Sequence, residues 1–342
     1  MTEIYFVTNR RPNRKRNPDD FTGDFSADGL SNLRYGRARV VGDRVIQVDV
    51  ARELLVLEPQ RRLVSAQRSV LGSQAVMGEI QAAMRQQGGD TLVFIHGYNV
   101  SFRESLLHGA ELQRNLAGLN DGRGVRVVVF AWPSDGSMAP FLAYANDQED
   151  ARAAGPGFAR AFLKLADFLH GASPEAQCKQ CLHLMAHSMG VYLLRHALQT
   201  IRRERADRPP RLFDQVFLMA ADEDNDALHL PHKLQPLPLL ARRVHVYFNS
   251  NDLAMTVSDF TKGNPDRLGA DGPLLPRDVP GKVSLVDCTP VVDGAVEHSY
   301  YRESPRVVAD LTAVLTGLEP DQVPGRDYVT ANNHYRLRRD RA

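Results

Sequence analysis

A chain of 342 residues, 43% hydrophobic and 24% charged, has room for one large α/β domain or two small ones and the balance of an ordinary globular protein. Its formal net charge of +1 gives no electrostatic case for a nucleic-acid partner. No apolar run approaches the roughly 20 residues of a membrane-spanning helix, and the short start Ile4-Tyr5-Phe6-Val7 precedes basic residues, the reverse of a secretory leader, so the expected location is cytoplasmic.

In chain order, residues 4–7, 40–41 and 44–50 carry β-strand patterning, and residues 1–90 are expected as an N-terminal extension of strands and loops joined to the main sheet. Residues 10–37 are rich in Gly, Pro, Asn and Asp and are expected to loop, with Arg10, Arg11, Arg14, Lys15 and Arg16 as a solvated, mobile basic run. From residue 91 the pattern changes, and short β-branched apolar runs alternate with stretches of helical spacing. That alternation implies βαβ units and a parallel sheet. Strands are expected at 91–95, 125–130, 182–186, 215–220, 244–248 and 283–286. Helices are expected at 101–116, 144–169, 190–203 and 305–316, the second broken or kinked at Gly155-Pro156-Gly157. Residues 230–240 and 263–281 read as long loops, and 321–342, with Arg336, Arg338, Arg339 and Arg341, as a basic tail. The expected fold class is α/β, with a mostly parallel central sheet, helices on both faces and a core spanning 91–320.

The chemistry concentrates after the third of these strands, in Ala186-His187-Ser188-Met189-Gly190. A serine hydroxyl attacks only if a base takes its proton and if it stands clear of the sheet. A sharp strand-to-helix turn exposes it, and that turn needs small residues two positions either side, a need that Ala186 and Gly190 meet. Ser188 is thus the expected nucleophile; the plainer alternative is a helix N-cap. The N–H of Met189 is placed to donate to a developing oxyanion. The second donor is expected from His96-Gly97-Tyr98-Asn99, directly after the first buried strand, where Gly97 allows close approach and Tyr98 supplies the N–H. The alternative there is a glycine turn beside a buried His96.

A serine on such a turn points to the α/β-hydrolase fold, in which the acid and then the histidine follow the serine. Asp252, beyond the strand at 244–248, and His298, beyond the strand at 283–286, fall in that order, with Asp222 as the competing acid. His298 would take the proton from Ser188, and Asp252 would orient the imidazole. Trp132 ends a strand on the same rim and either lines the pocket or packs. Asp147 and Asp150 sit three apart on a helix and read as a solvated face. Cys178-x-x-Cys181 has no second pair to complete a zinc site and leads into a strand, so neither a metal nor a redox role is expected, and no phosphate-cradling loop occurs.

Phe94-Ile95-His96-Gly97-Tyr98-Asn99, Ala131-Trp132-Pro133-Ser134, Ala186-His187-Ser188-Met189-Gly190, Val246-Tyr247-Phe248-Asn249-Ser250-Asn251-Asp252 and His298-Ser299-Tyr300-Tyr301 together resemble a bacterial α/β-hydrolase family of unknown function, esterase- and lipase-like. The resemblance covers roughly residues 90–317 and implies a triad of Ser188, Asp252 and His298. Glu297 departs from it, standing where a glycine is expected, with a carboxylate able to alter the His298 pKa or narrow access. The expected activity is cleavage of a small-molecule carboxylic ester through an acyl-enzyme, without cofactor. An amidase, peptidase or thioesterase with the same triad, and a hydrolase-fold binding module without turnover, are the alternatives.

Overall fold

The apolar runs in the middle of the chain form parallel strands, which tolerate such runs because both of their faces are covered. In a computed structural model, residues 1–30, 32–52, 71–134, 140–172, 178–205, 209–252, 266–292 and 298–339 are described. The strands are β1 (Thr2–Thr8), β2 (Arg10–Pro12), β3 (Phe21–Phe25), β4 (Arg34–Val41), β5 (Arg44–Arg52), β6 (Asp90–Ile95) and β7 (Val125–Ala131), then β8 (Leu182–His187), β9 (Phe213–Met219), β10 (Ala241–Phe248), β11 (Val283–Asp287), β12 (Arg326–Val329) and β13 (His334–Leu337). The longer helices are α1 (Gly72–Gln87), α2 (Phe102–Asn115), α3 (Pro140–His170), α4 (Met189–Glu204) and α5 (Pro305–Leu315).

One 11-stranded sheet has the order β12-β13-β11-β10-β9-β8-β6-β7-β1-β4-β5. From β13 to β1 all neighbours pair in parallel; β4, β5 and β12 join antiparallel at the two ends. Along β7 the side chains alternate, Val128 and Phe130 packing on one face with α1, α3 and α4, and Val127 and Val129 on the other with α2 and α5. A capping box of Ser101 and Glu104 starts α2 where the sequence places it. β8 lies between β6 and β9, so the ends of β6 and β8 open on one rim.

Residues 1–90 are not only strands and loops, since α1 occupies Gly72–Gln87, and the stretch expected to loop at 10–37 carries β2, β3 and the start of β4. Three further expectations fail, each through burial. The break at Gly155-Pro156-Gly157 does not occur, since α3 runs unbroken through Pro156. Proline removes one helix hydrogen bond, and the burial of Ala151, Ala154, Phe158 and Phe162 against the sheet outweighs it. Arg10 is no mobile cation. It starts β2, is buried, and donates to the carbonyls of Thr22, Val100 and Ser134. The basic tail also folds, as the hairpin β12–β13 beside β11. Arg326 there donates twice to Asp310 at 2.7 Å and once to the Tyr247 hydroxyl, which itself donates to Asp310, while Leu337 is fully buried. Among the described residues no helix is long and apolar enough to cross a membrane.

Candidate functional site

β8 ends at His187 and α4 begins at Met189, so one residue makes the turn between them. Ser188 makes it with φ 53° and ψ −126°, a combination glycine accepts freely and serine does not. The junction is pinned: Ser188 N–H donates to Met219 O at 2.9 Å, and Ser188 O accepts from Asp222 N at 3.2 Å and Val191 N at 2.9 Å. Its side chain makes no cap hydrogen bond, contrary to an N-cap role. Gly190 is required by close approach, because a Cβ there would lie 2.6 Å from the carbonyl oxygen of His96 and 2.7 Å from that of Ile95. This brings the first turn of α4 against the end of β6.

As the first residue of a helix, Met189 has no intrahelical partner for its N–H. The loop after β6 comes to the same place. A Cβ on Gly97 would meet the Ser188 Cβ at 3.1 Å and the His187 Nδ1 at 3.2 Å, so Gly97 lies directly beside the serine and Tyr98 follows it. The Tyr98 ring packs edge-on against Tyr144 at 5.7 Å. Burial, then the charges of Asp222 and Asp147, push the Tyr98 hydroxyl above its usual pKa.

The structure brings Asp252 and His298 together. Asp252, buried beyond β10, contacts His298 through Oδ2 to Nδ1 at 2.7 Å. A carboxylate accepts, so Nδ1 of the imidazole carries a hydrogen and Nε2 is the ring nitrogen left for another partner. That Nε2 is buried and has no hydrogen-bond partner among the described residues. Asp222 is engaged differently, its carboxylate accepting the Tyr144 hydroxyl at 2.7 Å.

His187 and Tyr301 support His298 from behind. The His187 ring lies 4.7 Å from those of His298 and Tyr301. Its Nε2 is 3.0 Å from the His298 carbonyl oxygen, which can only accept, so Nε2 is the protonated nitrogen. Burial, and then the neighbouring His298, push the His187 pKa well down, so the ring is neutral. His187 stood in the sequence as part of the serine motif; its position directly before the serine was the available signal.

His96 and Trp132 are packing residues. Trp132 is fully buried, stacks on His96 at 5.2 Å, and donates to the His96 carbonyl at 2.9 Å. The pocket reading of Trp132 therefore gives way to support of the strand end. His96 Nδ1 contacts its neighbour's carbonyl at 2.8 Å, and burial holds the ring neutral. The solvated-face reading of Asp147 is also overturned, because its side chain is turned inward and accepts the Asn99 N–H at 2.7 Å. Glu297 lies outside the described residues. No group of three or more His, Cys, Asp or Glu side chains suited to a metal occurs among the described residues.

An uncharacterized protein of Nostoc sp. is 20% identical over 68% of this chain and 75% of its own length. The acylaminoacyl peptidase of Pyrococcus horikoshii is 11% identical with a TM-score of 0.33, over 90% of this chain and 50% of that one. The chain thus spans about half the length of that peptidase. A lipase-esterase related protein from Clostridium acetobutylicum is 13% identical with a TM-score of 0.25, over 64% of this chain and 83% of that one. A family model matches residues 73–316, well over half the chain, and by that match the chain belongs to the alpha/beta hydrolases of unknown function (DUF900).

Proposed function

We propose that the protein is a serine hydrolase that cleaves a small carboxylic ester. One observation carries the reading: a serine held at φ 53° on a strand-to-helix turn directly follows His187, whose ring lies 4.7 Å from that of His298, and the His298 Nδ1 is committed to a buried carboxylate at 2.7 Å. A structural serine gains nothing from that backbone, whereas a nucleophile is carried by it clear of the strand, with its hydroxyl free of any helix-capping bond.

In the proposed sequence the Ser188 Oγ adds to the ester carbonyl as its proton passes to His298 Nε2. Asp252 stabilises the imidazolium and keeps its orientation. The oxyanion takes hydrogen bonds from the N–H groups of Met189 and Tyr98. Collapse breaks the bond to the alcohol, which leaves with the proton from His298, and the acyl group stays on Ser188. A water then loses a proton to His298, attacks the acyl-enzyme, and releases the acid and the free serine.

A fluorophosphonate probe tests the reading. It is expected to label the wild-type protein and not Ser188→Ala; labelling that survives the substitution refutes the assignment. A panel of p-nitrophenyl esters, anilides and thioesters then decides the leaving group, with esters expected to turn over fastest.

A further inference from the structure

Two buried charges that take no part in the proposed chemistry converge on the loop that carries Tyr98. Asp147 on α3 accepts the Asn99 N–H at 2.7 Å and the Ser134 hydroxyl at 2.8 Å, both on Oδ2. Ser134 Oγ in turn accepts the Val100 N–H at 3.1 Å. From the N-terminal strands, Arg10 donates through Nη2 to the Val100 carbonyl at 2.6 Å and through Nη1 to the Ser134 carbonyl at 3.3 Å. The side chains of Arg10, Ser134 and Asp147 come from segments remote in sequence, and all three residues are buried.

The loop has reason to need such a grip. Asn99 sits at φ 55°, a left-handed conformation that a non-glycine residue enters at a cost. Left alone, the segment after Tyr98 would relax toward a commoner conformation and carry the Tyr98 N–H with it. Charged hydrogen bonds are shorter and stiffer than neutral ones, and burying opposite charges in one cluster limits the desolvation penalty that either would incur alone.

We infer that Arg10, Ser134 and Asp147 form a clamp that fixes the Tyr98 N–H relative to Ser188, and that the N-terminal strands thereby serve the oxyanion site. They are positioning residues and touch no substrate. The inference rests on the reading of Ser188 as nucleophile.

The test uses the full chain with Asp147→Ala, Asp147→Asn, Ser134→Ala and Ser134→Thr. Measured are kcat and KM on p-nitrophenyl acetate, the rate of fluorophosphonate labelling, thermal unfolding, and amide hydrogen exchange across residues 96–100. Asp147→Ala and Ser134→Ala are expected to lower kcat by about 10- to 100-fold with KM little changed, the signature of a displaced oxyanion donor, and to speed exchange in the loop. Asp147→Asn and Ser134→Thr keep the acceptor and the hydroxyl, and retain most of the rate. A folded Asp147→Ala with wild-type kcat overturns the clamp. So does a fall in kcat that merely follows loss of thermal stability in all four variants. If the wild-type protein is not labelled at Ser188, the nucleophile reading fails instead. The exchange arm then decides the clamp alone: faster loop exchange in Asp147→Ala supports it, and unchanged exchange refutes it.

Discussion

Replacing Gly190 by alanine adds one methyl at the closest contact between α4 and β6. Built in place, that carbon lies 2.6 Å and 2.7 Å from the carbonyl oxygens of His96 and Ile95, and 3.1 Å from the Ile95 Cγ2. Normal carbon contacts need about 3.5 Å or more, so a gap of several tenths of an ångström must open. Ile95 is held on both sides by its register with Phe130 and Ala186, so the helix is the element that yields. Overpacking of this kind costs roughly 1–3 kcal/mol. The kinetic loss is larger, because Met189 rides on the moving turn while Tyr98 stays with β6, and misplacement on the order of 1 Å can lower a rate about 100-fold. Thermal unfolding and the rate of fluorophosphonate labelling read the two effects separately. Gly118→Ala, where an added carbon meets nothing within 4 Å, is the control and is expected to change neither. Wild-type labelling and an unchanged unfolding temperature in Gly190→Ala would refute the close-contact argument.

Asp252→Asn puts an amide that can donate opposite His298 Nδ1, favours the wrong tautomer, and is expected to lower kcat by about 10⁴-fold without unfolding the protein. An unchanged rate would remove Asp252 from the triad. Burial holds His96, His187 and His245 neutral far below the usual imidazole range, and His108 and His196 are pushed down to about 4. Once unfolded they bind protons near pH 6.5, so the unfolded state gains more protons as pH falls. Stability is therefore full above about pH 6.5 and declines toward pH 4; equal denaturant midpoints at pH 7 and pH 5 would contradict this. Arg326→Met strands the buried Asp310 charge and is expected to destabilise the fold by about 3–5 kcal/mol, with Asp310→Leu added to it recovering much of the loss. Urea unfolding of the single and double variants is the measurement.

The parallel core was legible because runs such as Val125-Arg126-Val127-Val128-Val129-Phe130 suit a strand covered on both faces, and because helical spacing follows them. Chain order then located Ser188, Asp252 and His298 at strand ends. What escaped were the buried charges. Arg10 meets Ser134 across 124 positions and Asp147 meets Asn99 across 48. A sequence pattern reports which residues share a local face, and it holds no signal for a carboxylate whose acceptor role is satisfied that far away. Asp147 and Asp150 share the same helical spacing, yet only Asp147 is fully buried. In the C-terminal segment, Arg336, Arg338 and Arg339 are exposed as their density suggests, while Arg326 is buried against Asp310 from another element.

Ser188 occupies backbone dihedrals that glycine would adopt without penalty. Ser188→Gly is therefore expected to yield a protein that is inert and yet roughly 1 kcal/mol more stable. At this position the backbone geometry favours glycine, and the proposed chemistry needs serine. On the proposed reading, a serine in that place exchanges robustness for a reactive hydroxyl.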